Sequence, residues 1–253
     1  MNISVRSLSL KAGNFTILSD IAATFDDGKT TVITGSNGSG KSSLLKIIAG
    51  LNTPTAGKVY YGEKVLDTFP AKALARIRAI VMQNPPLPSG MRVSDLLYLA
   101  RYAFDTGKTA NADAVNRAVA DAGCGNFLDR KIETLSGGEL RRVYLALALA
   151  QEPEILLLDE PEANTDAGFR ADFPALLKRL KTQRDLTVIM VTHDLDLALK
   201  CADKIIGLKS GSIAFSADTD APDLLDTLTT FTGNDHELFR DASGSLRAIA
   251  RYR

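Results

Sequence analysis

Polar and apolar residues alternate over residues 3–10, Ile-Ser-Val-Arg-Ser-Leu-Ser-Leu, with the two-residue period of a half-buried strand. Residues 15–25 read the same way, and Asp26-Asp27-Gly28-Lys29 predicts a turn after them. Thr31-Val32-Ile33-Thr34 is a β-branched run that predicts a buried strand. A glycine-rich loop follows it, then a helical stretch from Ser42 to Ala49 that stops at Gly50. Strand and turn recur at 57–67, and a strand at 79–82 ends at Gln83. The proline-rich stretch from Asn84 to Gly90 predicts irregular chain. Helical spacing runs from Val93 to Ala122, with a break near Thr106-Gly107, and again from Leu140 to Ala150. Ile155 to Leu158 is wholly apolar, as in a strand covered on both faces of a parallel sheet. Asp166 to Leu180 predicts a helix interrupted by Pro174, and Val188 to Val191 one more buried strand, ending at Thr192-His193-Asp194. Strands alternating with helices predict an α/β fold with a parallel sheet. The block 84–145 reads as a helical insertion, and residues 216–253 as a weakly patterned terminal appendage.

Composition narrows the functional classes. The chain has 253 residues, 45% hydrophobic and 24% charged, which suits a globular protein with a sizeable core. Lys plus Arg and Asp plus Glu stand at 30 each, so no basic surplus points to nucleic acid. The two cysteines, Cys124 and Cys201, lack metal-type spacing and predict neither a disulfide framework nor an oxidising compartment. Met1 to Gly13 lacks the continuous apolar stretch of a secretory leader. No apolar run approaches the roughly 20 residues that span a bilayer. Work at a membrane would therefore go through partner proteins.

Gly35-Ser36-Asn37-Gly38-Ser39-Gly40-Lys41-Ser42 matches the phosphate-binding loop pattern, with the required strand before it and helix after it. Glycines let the backbone wrap a phosphate, and the helix N-terminus adds the positive end of its dipole. Lys41 is expected at the β- and γ-phosphates and Ser42 on Mg²⁺, with Ser43 behind them. Asp159 and Glu160 sit at the C-terminal tip of the apolar strand, where an open α/β sheet binds its ligands. Asp159 suits a Mg²⁺ site, and Glu160 suits the polarising of an attacking water. Alone, an Asp-Glu pair would as simply cap the next helix.

Leu135-Ser136-Gly137-Gly138-Glu139 precedes the helix from Leu140 and forms a second anion-accepting start. One nucleotide per chain leaves that second nest without a ligand. In register with Gly35 to Ser42, Gln83, Arg141-Arg142-Val143, Leu156 to Glu160, Asp166 and His193, this segment resembles the ATP-binding cassette (ABC) ATPases over roughly residues 1 to 215. The resemblance implies a P-loop NTPase (RecA-like) core over 1–83 and 146–215. It adds an N-terminal antiparallel β subdomain and an inserted α-helical subdomain over 84–145. It implies ATP and Mg²⁺ as cofactors and a homodimer in which Ser136, Gly137 and Gly138 of one copy meet the γ-phosphate on the other. His193 matches the histidine that contacts the γ-phosphate, Gln83 the glutamine that senses Mg²⁺ and the attacking water, and Asp166 the aspartate that signals across the dimer. Each has a plainer reading: a helix-capping or satisfied core histidine, a strand-end surface amide, a helix N-cap.

Two segments depart from the family pattern. Glu162 and Thr165 stand where a small or hydroxyl residue and a leucine are usual. The loop Lys11-Ala12-Gly13-Asn14 lacks the aromatic residue that usually stacks on adenine. Phe15 is the nearest candidate, and a core strand position explains it equally well. The resemblance further implies a transporter subunit on the cytoplasmic face of the membrane. Integral membrane permease subunits would be its partners, with a substrate-binding protein engaged indirectly by an importer. Gln83-Asn84-Pro85-Pro86, Met91 to Leu97 and Ala100-Arg101-Tyr102 are similar to the iron-siderophore, haem and cobalamin uptake group. A soluble ATPase of iron–sulfur cluster assembly is the alternative.

Overall fold

A computed structural model of the chain describes residues 1–83, 85, 89–241, 244 and 246–251. Asn84, Pro86, Leu87 and Pro88, part of the proline-rich stretch and of the uptake-group similarity, lie outside the described residues. In chain order the strands and helices are β1 (Ile3–Ala12), β2 (Phe15–Phe25), β3 (Thr30–Thr34), α1 (Lys41–Ile48), β4 (Ala56–Tyr61) and β5 (Lys64–Val65). There follow α2 (Ala71–Ile77), β6 (Arg78–Val81), α3 (Val93–Leu99), α4 (Lys108–Ala122), α5 (Gly137–Ala150), β7 (Ile155–Asp159) and α6 (Ala167–Gln183). The chain ends with β8 (Thr187–Val191), α7 (Leu195–Cys201), β9 (Lys204–Lys209), β10 (Ser212–Asp218), α8 (Leu224–Thr232), β11 (Asp235–Arg240) and β12 (Leu246–Arg251).

The chain divides into two compact units, Met1–Thr68 with Thr187–Arg253, and Phe69–Leu186. In the first unit an antiparallel sheet runs β2-β1-β4-β5. Ile3, Val5, Leu8, Leu18, Ile21 and Phe25 point from it into the core. Beside it, β3 pairs in parallel with β8 on one edge and β9 on the other, and β10 continues antiparallel from β9. Every residue of β3 and of β8 is buried, as expected of β-branched runs covered on both faces. The hairpin β11–β12 packs on α7, where Arg247 Nε donates to Asp196 Oδ1 at 2.6 Å.

In the second unit β6 and β7 pair in parallel, Arg78 with Ile155 through Val81 with Leu158, and the helices α3 to α5 pack on one another. The buried guanidinium of Arg101 fastens this layer, donating to Ala150 O at 2.8 Å and to Glu152 at 3.0 Å. The break expected near Thr106-Gly107 is present between α3 and α4. The interruption expected at Pro174 is absent, and α6 runs through it. An interior proline costs about 3 kcal/mol, whereas each fully buried large apolar side chain contributes about 1.5–3. Phe169, Phe173, Leu176, Leu177 and Leu180 line one buried face of α6, so burial outweighs the lost bond.

Candidate active site: a phosphate loop and a carboxylate–amide pair

In the first unit β3 delivers the chain into the loop 35–40, and α1 begins at Lys41. Gly40 takes a left-handed conformation, φ +100°, and gives α1 no side-chain cap. The start of α1 thus lacks a side-chain cap, and the positive end of its dipole suits an anion. The loop is closely packed from outside. A Cβ at Gly35 would fall 2.1 Å from the Leu208 carbonyl oxygen, and one at Gly40 2.6 Å from Leu18 Cδ2. Lys41 is buried and its Nζ donates to the carbonyls of Gly35 and Ser36 at 2.8 and 2.9 Å. Ser39 is 2% exposed, and its Oγ has no hydrogen-bond partner among the described residues. A buried hydroxyl left in this way suits a ligand oxygen, and the loop as a whole suits a polyphosphate. Ser36, Asn37 and Gly38 are exposed, and Ser42 and Ser43 half-buried, at the start of α1.

His193 follows β8 on the exposed side of the same unit. It shares a cavity of about 520 Å³ with Thr34, Gly35, Ser36 and Asn37 of the phosphate loop and with Phe231 of α8. Asp194 caps α7 by accepting from Leu197 N at 3.0 Å, which fixes the turn that presents the imidazole.

The second unit carries the carboxylates. Asp159 is buried at the end of β7, and Glu160 follows with φ +46°, a left-handed conformation uncommon for a residue with a side chain. Gln83 Nε2 donates to Glu160 Oε2 at 2.5 Å. The structure thus joins two of the sequence-predicted residues side chain to side chain. Among the described residues no cluster of three or more His, Cys, Asp or Glu could hold a metal. The buried carboxylate of Asp159 is a donor of the kind Mg²⁺ takes beside phosphate, where one or two protein carboxylates are enough.

The Ser136 segment starts α5 with a full capping box. Ser136 Oγ accepts from Glu139 N at 3.3 Å, and Glu139 Oε2 accepts from Ser136 N at 2.8 Å. Ser136 and Gly137 are exposed, and Gly138 is buried against Asp166. A Cβ at Gly138 would fall 2.7 Å from Asp166 Oδ2, and one at Gly137 2.8 Å from Asn164 O. Asp166 is indeed an N-cap, accepting from Phe169 N at 2.7 Å, while also lying against this segment. Phe15 is 70% exposed, which rules out the core explanation for it.

Arg141 is the residue whose role sequence matching left blank. It is 5% exposed and donates to the carbonyls of Met82, Gln83 and Ala163. Burial pushes its pKa below the ordinary value, and the carboxylates of Glu162, Asp159 and Glu160 pull the other way. The sequence signal was its place in Arg141-Arg142-Val143, five residues past Ser136, a match that names no contact until burial is known.

The family pattern described as ABC transporter matches residues 18–163. The chain is 35% identical over 215 residues to a probable siderophore transport system ATP-binding protein, YusV, of Bacillus subtilis, covering 83% of this chain and 78% of that one. It is 35% identical over 216 residues to the iron(3+)-hydroxamate import ATP-binding protein FhuC of the same organism, covering 84% and 80%. A dimeric bacterial ABC transporter cassette, MJ0796, superposes with a TM-score of 0.79 at 26% identity, over 87% of this chain and 99% of that one. The same cassette has been solved as a post-hydrolysis dimer bound to ADP and Pi, at the same score. With the phosphate loop, the capped Ser136 segment and the carboxylate tip all present, this chain belongs to the ABC transporter family. It is an ATP-binding, ATP-hydrolysing cassette.

Proposed function

We propose that two copies of this chain close head to tail on two ATP molecules and couple their hydrolysis to import of a ferric chelate through integral membrane permease subunits. The observation that carries the nucleotide reading is the uncapped, glycine-led start of α1 with Lys41 folded against it. Gly35, Ser36, Asn37, Gly38, Ser39 and Gly40 wrap the phosphates by backbone N–H groups. Lys41 exchanges its two carbonyl partners for phosphate oxygens, and Ser43 supports the turn. Ser42, Asp159 and Gln83 are the residues that would hold Mg²⁺, which supplies charge neutralisation when bound. Glu160, steadied by Gln83, orients a water in line with the γ-phosphate and takes its proton. His193 contacts the γ-phosphate from the cavity it shares with the loop. Ser136, Gly137 and Gly138 of one copy complete the site on the other, and Asp166, packed on Gly138, reports the state of that contact.

The YusV and FhuC names support a ferric siderophore or hydroxamate as cargo, delivered by a substrate-binding protein. Among the described residues no helix is long and apolar enough to cross a membrane, and the proposed place of work is the cytoplasmic face, against a permease. Exposed Tyr98, Leu99 and Tyr102 in and after α3 offer apolar contact for such a partner. The test has two parts. Purified protein should hydrolyse ATP, and Lys41→Ala should abolish this. Co-expressed with its permease in vesicles, it should drive ATP-dependent uptake of a ferric hydroxamate. Hydrolysis with no ATP-dependent uptake on co-expression with the permease would favour the soluble assembly-type ATPase instead.

A further inference from the structure

Arg141 lies on α5, one turn and a half past Ser136, and its side chain is withdrawn from solvent. Nη1 donates to Met82 O at 2.8 Å, and Nη2 donates to Gln83 O at 2.9 Å and to Ala163 O at 3.3 Å. Met82 and Gln83 lead out of β6, and Ala163 closes the turn that begins at Glu160, where its N–H donates to Glu160 O at 3.0 Å. One planar guanidinium therefore ties together the two segments whose side chains, Gln83 and Glu160, meet. Its donors are fixed in direction, which suits gripping several carbonyls at once better than a flexible ammonium does. Glu162, itself 5% exposed, acts on it electrostatically ahead of Asp159 and Glu160. A buried guanidinium without such charges would be strongly unfavourable.

We propose that Arg141 is a positioning residue for hydrolysis. It holds the backbone of Gln83 against that of Ala163, so that the Gln83 amide keeps the Glu160 carboxylate aimed, and Glu162 is its buried counter-charge. The inference rests on the ATPase reading above and gives that site two further residues, neither of which touches nucleotide. Glu162 stands where a small or hydroxyl residue is usual, so this chain places the balancing charge inside the same turn that Arg141 grips.

The grip and the charge balance can be separated. Arg141→Met removes both. Arg141→Met combined with Glu162→Gln restores the balance and leaves the grip absent. With Arg141→Met, kcat should fall roughly 10- to 100-fold, the loss expected of a small misplacement of a catalytic group, while KM for ATP stays within about threefold. The paired variant should recover most of the Tm lost by Arg141→Met without recovering kcat. Arg141→Lys, which keeps the charge and some donors, should recover part of kcat. A kcat that returns together with Tm in the paired variant reduces Arg141 to a stability role and overturns the proposal. So does wild-type kcat in Arg141→Met. Should Arg141→Met fail to fold, the paired variant decides by the same comparison. Failure of the wild-type protein to hydrolyse ATP would instead overturn the reading of the whole site.

Discussion

The side-chain amide of Gln83 donates to the carboxylate of Glu160, joining the residue two past β6 to the residue one past β7. The acceptor is the group we propose to activate water, and the donor holds one of its carboxylate oxygens. Replacing Glu160 with Gln keeps the size and removes the base. Turnover should fall by about 10²–10⁴, while ATP binding by equilibrium titration stays within about threefold. Gel filtration with ATP should show an accumulated dimer. Normal hydrolysis by Glu160→Gln would remove Glu160 from the mechanism.

Gly138→Ala sets two effects against each other. Alanine gains up to about 1 kcal/mol over glycine in a helix, least in the first turn where Gly138 lies, and loss of a helix N-cap costs about 1. The new Cβ would meet Asp166 Oδ2 at 2.7 Å and push the α6 cap aside. Tm should therefore fall only slightly, whereas ATPase activity should drop at least tenfold, because Asp166, which we propose senses the Ser136 segment, has been displaced. A parallel fall in Tm and activity would mean that the contact only stabilises the fold.

Phe15 stands at the head of β2 with most of its ring in solvent. The same strand carries Leu18, which touches Gly40 of the phosphate loop. Stacking of a base on an aromatic ring is worth about 1–3 kcal/mol. Phe15→Ala should therefore weaken ATP binding about 5- to 100-fold, and binding of inorganic triphosphate should not change. An unaltered Kd for ATP would leave the ring without a role in nucleotide binding.

The hydrogen bond from Ser136 N holds the Glu139 carboxyl below its ordinary value of 4.5. Burial opposes this, and Arg130 adds to the depression. A depressed acid contributes its stabilisation in full above pH 4.5 and loses it as pH falls through the lower folded value. The capping box should thus be insensitive to pH between about 5 and 8 and open only in stronger acid. Carboxyl NMR of Glu139 should give a midpoint below 4.5, and Arg130→Met should move it upward without restoring the ordinary value. An ordinary midpoint in the wild type would show that the box is open in solution.

What the sequence disclosed was local. Gly35 to Ser42 and Leu156 to Glu160 are read from spacing alone, because turn, strand and helix start all fall within one short window. The pairing of Gln83 with Glu160 spans 77 positions, and no periodicity reports it. Arg141 shows the same limit. Its place in the family match names no contact, and the carbonyls of Met82, Gln83 and Ala163 lie far from it in sequence. Pro174 misled for a related reason: the local rule against interior proline was sound, and the apolar face of α6 outweighed it. Strands β9 and β10 and the hairpin β11–β12 went unread because their alternation is weak, and pairing with β3 or contact with α7 sustains them.

In the proposed mechanism each pocket needs two protomers, one giving the phosphate loop and the other the Ser136 segment. Protomers carrying Lys41→Ala and protomers carrying Ser136→Arg, each inactive alone, should therefore recover activity when mixed in equal amounts. Random pairing places one intact pocket in half of the dimers, which predicts about a quarter of wild-type turnover. No recovery on mixing, alongside hydrolysis by dilute protein that stays monomeric in ATP, would contradict it.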